Sequence, residues 1–480
     1  MMPFSKTGGL ADVAGTLPEE LLRLGHKVIA FLPRYRNVEP KHWELETVVK
    51  KIEIPLGSDK ETCRILHTRL KSGLDVYLVD HQEFFCREGI YGTTAGDYPD
   101  NDRRFIFFQR AVLEALQELN FTPDVMHCHD WQTGLIPVYL KSIYSVEPNF
   151  RKTRSVFTIH NLGYQGNFPP DSLPLTGLEW EHFRLERLEF YGKVSFLKGG
   201  IVDADMVTTV SERYSQEIQT KEFGCGMEGV LQRRKDTLHG VVNGIDTKEW
   251  DPEHDPDIAA RYNFETIQKK EINKHALQKE NGLPVDSAVP VVGMVSRLVD
   301  QKGMDILVEA MDALVKMGVQ FVLLGTGEEK YHHALRDVAK KNRNHVRVHI
   351  LFDSKMAKRI YAGSDLFLLP SYYEPCGLGQ MIALRYGTVP VVRATGGLAD
   401  TVQNFNVKSG QGNGFSFEAY KAEALTDAVR RAVETFRDAE LWRRITGNAM
   451  ASDFSWAASA RKYIKLFEMT KRRAVTGLER

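Results

Sequence analysis

The chain has 480 residues, more than one hydrophobic core normally serves, so its length predicts two domains or more. Lysine plus arginine and aspartate plus glutamate both number 63, which excludes a global field for nucleic acid or anionic membrane and makes any anion site local. Five cysteines, with no C-x-x-C pair and one left over from any pairing, fit a reducing compartment rather than a disulfide scaffold. No apolar run approaches the roughly 20 residues of a membrane span, and no signal peptide precedes the first motif. The expectation is a soluble cytoplasmic α/β protein.

In chain order, the opening loop "KTGGLADVAG" (6–15) leads straight into a helical pattern, Leu10 to Gly25. A Rossmann-like domain places a strand ahead of its first glycine loop. The pattern therefore predicts a missing leading strand, unpaired ladder groups on its two neighbours and reduced stability. Short β-branched runs at 26–33, 74–80, 123–130 and 154–160 read as buried strands, and 105–119 has helical spacing. Strand–helix–strand order predicts a parallel sheet with right-handed crossovers. After a joint rich in Pro, Asp and Asn at 241–258, the rhythm returns: strands at 290–298, 319–327, 347–352, 365–371 and 388–393, with a helix at 303–318. The amphipathic 454–473 is expected to cross back to the first domain. The boundaries are 1–242, 243–455 and a returning helix at 456–480.

Two stretches, "KTGGLADV" and "ATGGLADT" (394–401), repeat one turn, the mark of two similar open α/β domains rather than a short-period solenoid. In such sheets ligands bind beyond the carboxyl ends of the strands, and two facing domains make a cleft. Gly8 and Gly9 lack Cβ atoms, so their N–H groups can approach a phosphate at a helix start, and Lys6 adds a full charge. An ordinary glycine turn explains that stretch equally well by itself. It is not a Walker loop. "SRLVDQKG" sets Arg297 and Lys302 around a strand-to-helix turn, where two cations can grip a diphosphate, although solvated loops often carry such pairs. "EPCGLGQ" sets Glu374 before the backbone donors exposed by Gly377 and Gly379. Glu374 can accept bonds from sugar hydroxyls or merely cap the turn, and Cys376, with no base evident, reads as a packing or contact residue.

"HCHDWQTG" (127–134) invites a metal reading through His127 and His129, but no further ligands stand at a recognisable spacing. Asp130 precedes Trp131, a side chain suited to stacking on sugars. "VDAD" (202–205) imitates the D-x-D of metal-dependent sugar transferases yet sits where acidic residues mark a helix-to-strand turn. His160 and Asn161 close the strand of "FTIHNLGYQG" and can contact sugar hydroxyls.

Together, KTGGLADV, HCHDWQTG, FTIHNLGYQG, VNGID, SRLVDQKG and EPCGLGQ occur in the order and spacing of bacterial and plant glycogen/starch synthases, glycosyltransferase family 5, and the resemblance spans essentially the whole chain. It implies the GT-B fold of two Rossmann-like domains facing a cleft. It also implies retaining transfer of glucose from ADP-glucose to the non-reducing end of an α-1,4-glucan, without metal or cofactor, nucleic acid or membrane. By the same resemblance Lys6, His160, Arg297, Lys302 and Glu374 are catalytic. Lys6, Gly9, Asn161, Asn243, Arg297, Lys302, Phe352, Glu374, Cys376, Gly377, Leu378 and Gly379 hold the donor, Phe352 replacing the tyrosine that often stacks on adenine. Asp130, Trp131 and Tyr91 stand on the acceptor side. Gly379 stands where some relatives carry Thr or Asn, leaving only a backbone contact. The rivals are a GT-B enzyme using UDP-glucose, a carbohydrate-binding protein that lost turnover, and a nicotinamide dehydrogenase, which lacks its strand-linked G-x-G-x-x-G.

Overall fold

Alternating apolar runs and amphipathic stretches make strands and helices because each must bury one face against the other. The computed structural model describes residues 1–39 and 41–477, and side chains up to residue 472. The chain divides into two compact units: one holds Met1–Val210, Ser215–Val241 and the segment from Trp456, the other Ser211–Tyr214 and Val242–Ser455.

In the first unit, β1 (Ile29–Pro33), β2 (Glu46–Leu56), β3 (Asp59–Arg69) and β4 (Asp75–Asp80) form one sheet in the order β1-β4-β3-β2. β1 and β4 run parallel, whereas β2 and β3 form an antiparallel hairpin. A second sheet is wholly parallel: β5 (Val125–His129), β6 (Arg154–Ile159), β7 (Met206–Thr209) and β8 (Leu238–Gly240), in the order β8-β7-β6-β5. The expected single parallel sheet is thus two sheets, since among the described residues no strand pairs β1 with β5, and one of them is mixed because the hairpin adds antiparallel partners beside β4. β1 and β5 each lie at a sheet edge. The helix Asn101–Glu118 runs one turn ahead of its predicted start and buries Phe105, Ile106 and Phe107.

The second unit carries one six-stranded parallel sheet. It is built from β9 (Val291–Val295), β10 (Gln320–Gly325), β11 (Val346–Ile350), β12 (Leu366–Leu369), β13 (Val389–Arg393) and β14 (Phe415–Phe417), in the order β11-β10-β9-β12-β13-β14. The sequence order 9, 10, 11 runs outward on one side and 12, 13, 14 on the other, so the switch point falls between β9 and β12, where a doubly wound sheet opens a ligand crevice. Val292, Met294, Leu323, Leu366 and Val391 of these strands pack under Leu307 and Leu314 of the helix Met304–Lys316.

The helix Trp456–Gly477 belongs to the first unit. Its Trp456, Ala460, Tyr463 and Leu466 bury against Val13, Leu17 and Leu21 of the helix Gly9–Arg23 and against Val241.

Candidate active site

The site residues of the first unit gather at the carboxyl ends of β5 and β6. The parallel register pairs His127 with Val156 and His129 with Thr158, so Asp130 and His160 emerge side by side. Asp130 adopts a left-handed φ of 53°, which aspartate tolerates better than most residues, and turns its carboxylate back to accept from the His160 N–H at 2.7 Å. The Asn161 N–H donates to the same carboxylate, but burial dominates and pushes the Asp130 carboxyl up to about 7. The His160 Nε2 lies 3.0 Å from His129 Nδ1. His127 Nε2 lies 2.7 Å from Thr158 Oγ1, and its ring centroid lies 4.1 Å from that of His129, the two planes tilted by 42°. Burial lowers all three imidazoles: His129 falls to about 4, and His127 and His160 fall well below the ordinary value. They are therefore neutral hydrogen-bonding groups at pH 7. Asn161 Oδ1 accepts from the Gly163 N–H at 2.9 Å, closing an Asx-type turn.

Trp131 does not present the open indole face expected of a stacking residue. It is 9% exposed, with Phe105 at 4.8 Å, Phe168 at 5.6 Å and Tyr91 at 6.1 Å. A Cβ on Gly166 would meet its ring at 2.7 Å. Tyr91 is half-buried, and burial raises its phenol far above the ordinary value. Lys6 is half exposed and pairs with Asp12 at 2.6 Å in the first turn of Gly9–Arg23. Among the described residues nothing lies within 4 Å of a Cβ built on Gly8 or Gly9, so this turn is open to a close-approaching group.

The second unit assembles its site at the switch point. Because β9 and β12 are neighbours, the turns after them meet. Lys302, in the turn Asp300–Lys302, pairs with the Glu374 Oε2, which also accepts from Ser371 Oγ at 3.1 Å. Gly303 follows at φ 72°, and a Cβ there would fall on the Pro370 carbonyl oxygen. Arg297 is exposed, with its guanidinium 3.1 Å from Gln301 Oε1. Cys376 is buried, its thiol pushed up to about 12 by burial despite the Asn243 N–H pointing at it, so it is a packing residue rather than a nucleophile. Asn243 is 5% exposed, and its Oδ1 is a buried acceptor with no partner among the described residues. Gly377 has φ 73°, Leu378 follows, and Gly379 opens the short helix Gly379–Arg385. Phe352 stands apart at the far edge of the sheet, just past β11, with 89% of its surface exposed.

The second TGGL turn is explained by contact. Cβ atoms on Gly396 and Gly397 would land on the carbonyl oxygens of Glu374 and Cys376, and the Gly397 N–H donates to Glu374 O at 3.1 Å. These glycines let two backbones touch and so seat the EPCG loop. The sequence pattern did not single out Ser371 or Gln301 as partners of the site, and it marked His129 only as a weighed metal ligand, through the shared strand face with His127, not as the partner of His160. The VDAD aspartates are structural: Asp205 accepts from the Ser155 N–H at 2.8 Å, and Asp203 pairs with Arg187 at 3.2 Å.

Residues 1–233 match the family description "Starch synthase catalytic domain", and residues 276–474 match "Glycosyl transferases group 1". A glycogen synthase of Koribacter versatilis is 47% identical over 98% of this chain and 96% of its own. One from Geotalea uraniireducens is 48% identical over 97% and 96%. The catalytic domain of starch synthase IV from Arabidopsis thaliana, solved bound to ADP and acarbose, superposes with a TM-score of 0.89 at 36% identity, covering 98% of both chains. Sucrose-phosphate synthase from Thermosynechococcus elongatus shares the fold, with a TM-score of 0.60 at 18% identity over 96% of this chain and 94% of its own. The two Rossmann-like units are of the GT-B class, and with this similarity over nearly its full length the chain belongs to the bacterial and plant glycogen/starch synthase family.

Proposed function

We propose that the chain transfers glucose from ADP-glucose to the non-reducing end of an α-1,4-glucan with retention of configuration. The observation that carries the reading is the meeting of Lys302 and Glu374, with Arg297 in the loop just before the Lys302 turn, at the switch point of the second unit's parallel sheet. Departure of ADP breaks the bond between the sugar C1 and the phosphate oxygen, which takes the electron pair and gains charge. Arg297, Lys302 and Lys6, with the N-terminus of Met304–Lys316, supply positive charge to that oxygen. Such fixed cations can do without a divalent metal, so we assign none. Glu374 accepts bonds from donor-glucose hydroxyls, and the Asn243 Oδ1 offers a further acceptor. Neutral His160, oriented by Asp130 and His129, contacts the reacting sugar. The acceptor hydroxyl attacks on the face the diphosphate leaves, and its proton passes to the leaving phosphate. Gly9, Asn161, Cys376, Gly377, Leu378 and Gly379 shape the donor pocket, and exposed Phe352 stacks on adenine. Asp130 and Tyr91 serve the acceptor side, with Trp131 as the packed support of Tyr91.

Among the described residues no helix is long and apolar enough to cross a membrane, and all five cysteines are free, which fits a cytoplasmic enzyme. The test is incorporation of labelled glucose from ADP-glucose into glycogen in the presence of EDTA. Transfer that persists in EDTA and exceeds that from UDP-glucose is expected. Absence of transfer, or activity abolished by EDTA and restored by Mn²⁺, overturns the reading.

A further inference from the structure

Arg104, in the first turn of the helix Asn101–Glu118, has none of its surface exposed, which is rare for arginine. Among the described residues no carboxylate pairs with it, and a buried charge without a counter-ion is costly to keep. Its guanidinium is held by three oxygens instead. Nε donates to Phe84 O at 2.6 Å, Nη1 to Asn101 Oδ1 at 2.5 Å and Nη2 to Ile90 O at 3.0 Å. Those acceptors stand before, after and within one loop, residues 86–100.

The loop is closed at its ends and pinned at its middle. Arg87 donates to both carboxylate oxygens of Asp100, at 2.7 and 2.6 Å. The Tyr91 carbonyl accepts from the Tyr98 N–H and from Asn101 Nδ2, both at 2.9 Å. The Asn101 amide thus faces Arg104 with its oxygen and Tyr91 with its nitrogen. Beyond the backbone, the Tyr91 ring lies 5.9 Å from Phe105 and 6.1 Å from Trp131, with its phenol beside Gln132 and Asp130. An apolar side chain could fill the space under this loop, but packing has no direction. A planar fork of donors fixes three oxygens in one geometry. We propose that Arg104 is a positioning residue for the acceptor: through Ile90 O and Asn101 it holds Tyr91 where the glucan is met. The acceptor role of Tyr91 rests on the function proposed above.

The experiment is a double-mutant cycle: Arg104→Met, Asn101→Asp and Tyr91→Ala alone, and each of the first two combined with Tyr91→Ala. Asn101→Asp gives the guanidinium a carboxylate partner and removes the donor to Tyr91 O, so it should keep the fold. In both Arg104→Met and Asn101→Asp, kcat/KM for maltotriose should fall roughly 10- to 100-fold, the scale of a small misplacement. KM for ADP-glucose should stay as it is, and neither change should cost anything further once Tyr91 is alanine. Normal maltotriose kinetics in a folded Arg104→Met or Asn101→Asp overturns the proposal. So does a loss that recurs in full in the Tyr91→Ala background, which would be a general structural effect. If Arg104→Met fails to fold, the Asn101→Asp arm decides. Normal maltotriose kinetics in Tyr91→Ala would instead refute the acceptor role of Tyr91, and this inference with it. Calorimetric binding of maltotriose to the same proteins reads the coupling without turnover. A chain that transfers no glucose would thus refute the enzymatic reading and still decide this one.

Discussion

Arg297 and Lys302 are both cations in the connection between β9 and the helix Met304–Lys316, but their surroundings differ and so do their expected phenotypes. Arg297 is solvent-exposed and bonds to Gln301, so Arg297→Ala should shift stability within about 0.5 kcal/mol. Turnover should nonetheless fall roughly 10²–10³-fold if the guanidinium meets charge that develops in the transition state. Lys302→Ala should lose turnover likewise and also strand the buried Glu374 carboxylate, a cost of about 3–5 kcal/mol for a broken buried pair. Urea melts beside rate measurements on ADP-glucose separate the two, and near-normal turnover in folded Arg297→Ala rejects its role. Titration offers a second residue-scale test. His129 falls from 6.5 to about 4 on burial, so the folded chain binds fewer protons than the unfolded one and its contribution is lost as pH falls from about 6.5 to about 4. Asp130 rises from 3.8 to about 7, so the opposite holds: its contribution is complete below about 3.8 and is lost as pH rises to about 7. Asp130→Asn keeps an acceptor for the His160 N–H and tolerates the left-handed φ. It should therefore fold and steepen the net rise of stability between pH 4 and 7, while His129→Asn should flatten that rise. Thermal melts across that range check both slopes.

At the scale of elements, the two glycine turns predict opposite outcomes from the same substitution. Gly397→Ala drives a methyl group into the Cys376 backbone, which cannot move without displacing Glu374. We expect a loss of at least about 1–3 kcal/mol, the range for overpacking, with turnover reduced through the shifted loop. Gly9→Ala meets open space and should leave the melting temperature close to unaltered, so any loss of turnover there reports a blocked ligand approach. Calorimetry and ADP-glucose kinetics on the pair check this; equal melting temperatures would refute the packing argument. The repeat was visible in the residues, but the reason for it was not, because the contact joins segments about twenty residues apart. Strand positions were legible for a related reason. Runs such as 290–298 and 365–371 are apolar on both faces, the signature of a parallel sheet covered on both sides, and they became Val291–Val295 and Leu366–Leu369. The hairpin Glu46–Leu56 and Asp59–Arg69 escaped notice because its outer positions are charged and its buried ones sparse. Trp131 misled in another way: residue type suggests stacking, but only the packing of Phe105 and Phe168 decides whether a face remains open.

For the whole molecule the deciding feature is that the chain leaves the first unit near Val241 and re-enters it at Trp456. The Ile245 N–H donates to Phe454 O at 2.9 Å, tying together the two segments of the second unit nearest these crossings. The returning helix is not an appendage, since Trp456 and Tyr463 are nearly or fully buried against Val13, Leu17 and Leu21. Removing the indole should cost about 3–5 kcal/mol, the usual range for a large aromatic cut to alanine in a core. Because the core of the second unit is built from its own six strands, that loss should fall on one unit. A protein of two cores need not unfold in one step. We therefore expect Trp456→Ala to lower the transition of the first unit and leave that of the second in place. Hydrogen exchange read by mass spectrometry should show faster exchange at 13–21 and unchanged protection at 291–295. Equal acceleration in both stretches would mean that the two units unfold as one, and the division drawn from their separate cores would fail.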